Sequence, residues 1–88
     1  MIREHDKVVL TVALSDHGLE PGDVGVVVHI YPSQEAYEIE FVTLSGQTAA
    51  IVTASANQIR HIGQHEIPHA RELAHRWTSL ARGDRRSP

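Results

Sequence analysis

The chain contains no cysteine among its 88 residues. That excludes disulfides and thiolate metal sites as sources of stability and fits a reducing, cytoplasmic setting. Aromatic residues are scarce, with one tryptophan, one phenylalanine and two tyrosines, too few for a row of base-stacking platforms. No apolar run approaches the ~20 residues that span a bilayer. The opening MIREHDKVV lacks the apolar segment of a signal peptide, so no membrane partner is expected. Internal repeats and low-complexity stretches are also missing. Positive charge is nearly absent from the first 65 residues, where Arg3, Lys7 and Arg60 face eight acids, a balance of −5. Residues 66–88 reverse the sign: Arg71, Arg76, Arg82, Arg85 and Arg86 outweigh Glu66, Glu72 and Asp84 by two. An acidic body repels phosphate, and a basic tail attracts acidic surfaces.

What is present is β patterning around residues 22–42, GDVGVVVHIYPSQEAYEIEFV, which reads as a hairpin. Val24, Val26, Val28 and Ile30 alternate with Gly25, Val27, His29 and Tyr31, the period of a strand. Pro32, Ser33, Gln34 and Glu35 supply the turn. Tyr37, Ile39 and Phe41 then alternate with Glu38 and Glu40. Before the hairpin, residues 6–12 form a first strand, with Val8, Leu10 and Val12 on one face. A loop over 15–22 follows, marked by Gly18, Pro21 and Gly22. After the hairpin, Ser45-Gly46 makes a tight turn, residues 47–54 a fourth strand, 55–57 a helical or 3₁₀ turn, and 58–62 a short last strand. Five short strands in about 60 residues imply a rolled sheet or barrel, which removes exposed edges. A 3₁₀ turn before the last strand is a feature of SH3-like barrels.

The expected organisation is therefore mostly β: a five-stranded SH3-like barrel over 1–62, a connector over 63–67, one C-terminal amphipathic α-helix over 68–82, and a disordered basic tail over 83–88. Pro68 suits a first helical position. Ala70, Leu73, Ala74, Trp77, Leu80 and Ala81 form one stripe at helical spacing. Gly83 stands where a C-terminal cap belongs. Such a helix is marginal alone, so Leu73, Trp77 and Leu80 are expected to cover an apolar patch. Val9, Val27 and Val42, placed on the outer strand face, are the candidate patch within the same chain.

The run GDVGVVVHIY…AYEIEF…SGQTAAIVT…QIR resembles the uncharacterised bacterial family called domain of unknown function 4926. The family's Gly-Asp-x-Gly-x-Val-Val-x-x-Tyr pattern is met by Gly22, Asp23, Gly25, Val27, Val28 and Tyr31. Its Tyr-x-Val-Glu-Phe pattern is met by Tyr37, Ile39, Glu40 and Phe41, its glycine turn by Gly46, and its closing Leu-Arg by Ile59 and Arg60. The resemblance covers residues 6–62 and implies an SH3-like barrel, with no activity attached. GDVGVVV is also similar to the glycine-centred strand of KOW-type modules.

Candidate chemistry is thin. His61, His65 and His69 are spaced by four, as zinc ligands on one helix are, but Gly63 and Pro68 interrupt any helix through all three. Solvated histidines and no metal or cofactor are expected. Glu38 and Glu40 share a strand face, yet paired carboxylates act as acid and base only inside a cleft, and the pattern builds none. Ser15, Asp16 and His17 are adjacent, so they cannot form a hydrolase triad, whose members converge from separate segments. Catalytic residues are not assigned. The expectation is a non-enzymatic interaction module. Its acidic face (Glu35, Glu38, Glu40) and apolar helix face (Leu73, Trp77, Leu80) would contact a protein partner or a second copy. The alternative is a KOW-like nucleic-acid module using the basic C-terminal segment, disfavoured because such binding needs a basic surface.

Overall fold

In the computed structural model, residues 1–73 are described. Five strands form one antiparallel sheet in the order β4-β3-β2-β1-β5. They are β1 (Lys7–Leu10), β2 (Val24–Ile30), β3 (Ala36–Val42), β4 (Thr48–Ser55) and β5 (Ile59–His61). Short 3₁₀ turns occupy Ser15–His17 and Ala56–Gln58. The second turn is closed by a capping box between Ser55 and Gln58, which satisfies two amides reciprocally.

The sheet is rolled. β4 and β5 lie at its opposite edges, yet only Ala56–Gln58 separate them in the chain. In a flat sheet those edges would be about 19 Å apart. A 3₁₀ path from Ser55 to Ile59 spans roughly 8 Å. The roll encloses a core of Val8, Leu10, Leu19, Val27, Tyr37, Ile39, Phe41, Val52, Ala54 and Ile59. β1 is shorter than its pattern suggests and stops at Leu10. Thr11 instead donates its amide to the Gln58 carbonyl (2.8 Å), which turns the chain toward the second 3₁₀ turn.

β2 inverts the expected face assignment. Val27 is fully buried and Val9 is 4% exposed, whereas Val42 is 43% exposed. The patch imagined from Val9, Val27 and Val42 therefore does not exist as a surface. In β2 the change of face is taken up at a β-bulge. Val27 pairs with Ile39 and His29 with Glu38, so Val28 is an extra residue. Gly25, Val27 and Ile30 face inward, and strict alternation is broken once. Gly25 makes the inward register possible. A Cβ built there would lie 2.5 Å from Ile39 Cγ2 and 2.9 Å from Phe41 Cε2, so glycine lets those side chains pack onto the strand.

The expected helix is not formed in its first part. Residues 68–73 have no regular secondary structure. Residues 74–88, with Trp77, Leu80 and the tail, lie outside the described residues. The first helical turn is the costly one to nucleate, and here Arg71 and Leu73 make tertiary contacts instead. Among the described residues, no helix is long and apolar enough to cross a membrane.

Gly25→Ala is expected to destabilise the fold by about 1–3 kcal/mol, the range for an overpacked core. Urea unfolding checks this. Unchanged stability would mean that Ile39 and Phe41 yield without cost.

Candidate functional site

β2, β3 and β4 present one continuous outer face. Two rows cross it. In the first, Val26 pairs with Glu40 and Glu40 with Ile51; in the second, His29 pairs with Glu38 and Glu38 with Thr53. The inward partners of the same strands (Ile39 with Val52, Tyr37 with Ala54) fill the core. The period of two thus fixes which residues face solvent.

Glu38 and Glu40, singled out from the sequence, both lie on this face and are half-buried. Each is held by neighbouring hydroxyls. Tyr31 Oη donates to Glu38 Oε2 at 2.8 Å, and Thr53 Oγ1 donates to the same oxygen at 3.1 Å. Thr48 Oγ1 donates to Glu40 Oε2. The Tyr31 hydroxyl is held protonated above its ordinary range, chiefly because its proton is shared with Glu38. His29 meets the Tyr31 ring edge to face, with centroids 4.8 Å apart. Apolar side chains interleave with these groups: Val28, Val42 and Ile51 are 38%, 43% and 56% exposed. The face is a fixed acidic pair flanked by exposed apolar side chains. Arranged this way it can accept hydrogen bonds from a cationic surface and bury apolar area.

Leu73 does not join that face. It is half-buried and packs against the core cluster. Trp77 and Leu80 lie outside the described residues. Glu35 is exposed in the β2–β3 turn, and its carbonyl accepts from the Ala56 amide (3.2 Å). Ser15, Asp16 and His17 make one exposed 3₁₀ turn. Among the described residues, no three histidine or carboxylate side chains are grouped to hold a metal ion.

A second polar constellation was not legible as such. Arg71 Nε donates to Asp23 Oδ1 at 3.0 Å, its Nη2 reaches Asp23 Oδ2 and the Gly18 carbonyl, and Glu20 lies 3.7 Å from Nη1. The Asp23 hydrogen bond is the main reason the guanidinium pKa is raised. Asp23 also accepts the Glu20 amide (2.8 Å) and thereby shapes the loop entering β2. A bidentate guanidinium–carboxylate pair of this kind gives geometry as well as attraction. Together with Leu73 it docks the C-terminal arm onto the sheet. The acidic body and basic tail were visible in sequence; their meeting at Asp23 was not, since 48 residues separate the two. A third pair, Arg60 with Glu66, pins the connector. Both guanidinium Nη atoms donate to the carboxylate (3.0 and 2.7 Å), and the Gly63 amide donates to it as well.

Two outcomes follow for the arm. Arg71→Ala is expected to cost about 1 kcal/mol, or roughly 4–8 °C in melting temperature for a domain of this size. Truncation after Gly63 should cost more, because it also removes Leu73. An unchanged melting temperature in the truncated chain would contradict docking of the arm. The connector predicts a pH dependence. Arg60 first, then the Gly63 amide, hold the Glu66 carboxyl at about 2, below its ordinary 4.5. A depressed carboxyl stabilises the fold above its unfolded value and loses that contribution as pH falls through its folded value. The gap in urea midpoint between wild type and Glu66→Gln should therefore be full above about pH 4.5 and close toward about pH 2. A gap that stays constant across that window would contradict the pairing.

No curated protein and no solved structure matches the chain significantly. The family model described as "Domain of unknown function (DUF4926)" matches residues 4–61. That range holds all five strands, Gly25 with its close approach to Ile39 and Phe41, and the carboxylates Glu38 and Glu40; it ends before Glu66, Arg71 and Leu73. By a match over well more than half its length, the chain belongs to the DUF4926 family.

Proposed function

We propose that this protein is a non-enzymatic interaction module, built on an SH3-like barrel, that binds the basic, partly apolar surface of another protein through the outer face of β2, β3 and β4. The barrel reading draws support from the β1–β5 pairing and the 3₁₀ turn that joins β4 to β5. One observation carries the functional reading. Glu38 and Glu40 are held by tyrosine and threonine hydroxyls among exposed Val28, Val42 and Ile51. Carboxylates already fixed in place lose little side-chain freedom on binding, and the apolar surround supplies the buried area. Trp77 and Leu80 keep their proposed role as a further apolar contact, from which the core packing of Leu73 withdraws that residue. Of the basic segment that the nucleic-acid alternative would use, Arg71 is engaged by Asp23 of the same chain, and Arg76, Arg82, Arg85 and Arg86 lie outside the described residues.

Tagged purification from the native cell, with mass spectrometry of what co-elutes, tests the reading. A near-stoichiometric protein is expected with wild type and with Glu4→Lys. Glu40→Lys should weaken it at least tenfold, about 1.4 kcal/mol, by placing like charge against like. A partner retained by Glu40→Lys would remove the acidic face from the contact. Nucleic acid released only by nuclease or high salt would replace the reading with the alternative.

A further inference from the structure

β4 is an edge strand without the usual protection. Among the described residues it pairs only with β3, while the other edge, β5, is three residues long. β4 runs eight residues, TAAIVTAS, with no charge and no proline. Three of them, Ile51, Val52 and Thr53, form a β-branched run at its centre. Natural edges of this length are blunted by lysine, proline or inward charge. The one irregularity is at the start: Phe41 pairs with Ala50 and Val42 with Thr48, which leaves Ala49 as a bulge.

The ladder fixes which amides are free. The Ala56 amide bonds the Glu35 carbonyl. In an antiparallel pair such bonding recurs every second residue. Ala54, Val52 and Ala50 therefore bond to β3, and Ile51 and Thr53 direct their N–H and C=O groups outward. Among the described residues, nothing pairs with that outer side.

We propose that the outer edge of β4 pairs antiparallel with β4 of a second copy of this chain, about a two-fold axis at Val52. Ile51 then stands opposite Thr53 of the second copy, and Thr53 opposite its Ile51. This register uses residues 50–54, clear of the bulge at Ala49. It keeps inner face against inner face, whereas a slip of one residue would set each copy's core side against the other's solvent side. It places two β-branched pairs across the axis, each exchanging both backbone hydrogen bonds. Such an isologous contact closes at two copies.

Self-complementarity selects the second copy. A second β4 presents outward N–H and C=O groups at the same two positions, Ile51 and Thr53, and matches the first in length. The acidic face does not oppose the pairing. Glu40 lies beside Ile51 and Glu38 beside Thr53, so the two β3 strands that carry the carboxylates are three strand spacings apart, about 14 Å, and β4 hydroxyls take up part of the charge of each carboxylate as hydrogen-bond donors. Pairing would also join the two outer faces into one, without depending on what that face binds.

Size-exclusion chromatography with light scattering on the full chain, from micromolar to about 1 mM, tests this. The wild type should reach twice the chain mass. The double variants Ile51→Lys/Thr53→Lys and Ile51→Glu/Thr53→Glu should each dimerise at least tenfold more weakly, and an equimolar mixture should restore a one-to-one dimer. A monomeric wild type at the highest concentration overturns the proposal. So do variants that dimerise unchanged, or a mixture that stays monomeric. Should a variant fail to fold, hydrogen exchange on the wild type decides. Protection of the Ile51 and Thr53 amides that rises with concentration supports pairing. Protection already present in the monomer means that another part of the chain holds the edge, and rapid exchange at all concentrations means that nothing does; either result overturns the proposal.

Discussion

The close approach of β2 to the core side of β3 is the constraint on which the rest of the sheet depends. It exists because Gly25 has no side chain where Ile39 and Phe41 arrive. With those two side chains lying across the strand, Val27 is drawn into the same layer and becomes fully buried. The next inward position is then Ile30, and the chain reaches it only by carrying Val28 as a bulge. A bulge adds local twist, in keeping with a sheet whose two edge strands are joined by three residues.

The same bulge decides what the outer face presents. It brings His29 opposite Glu38 and sets Tyr31 within hydrogen-bond reach of that carboxylate. Threonines from β4 complete the arrangement from the other side. The inner side of these three strands is conventional hydrophobic packing. The outer side is polar groups locked to one another among exposed valine and isoleucine.

The C-terminal arm belongs to the fold in a different way. The family match ends at residue 61, and the arm begins there. Arg60 and Glu66 turn it, and Arg71 ties it to Asp23 at the entrance of β2. Asp23 thus serves twice, capping its own loop and receiving the arm. A small core gains from each such attachment, since a chain of this length buries only about 60–65% of its unfolded surface.

Alternation and turn chemistry, both local, were sufficient in the sequence for the five strands, for the 3₁₀ turn before the last one, and for the inward set Tyr37, Ile39 and Phe41. They placed Glu38 and Glu40 on the opposite face correctly, because β3 keeps a strict period of two. Local pattern failed wherever a distant residue set the outcome. The face of Val27 depends on Ile39 and Phe41 meeting Gly25, across a hairpin. The path of residues 68–73 goes with the Arg71 contact to Asp23, 48 residues earlier, which no local pattern contains. Which strand lies at the edge depends on strand order, and strand order is set by which strands the core brings side by side. Periodicity is a property of neighbours in the chain; register, docking and open edges are properties of neighbours in space.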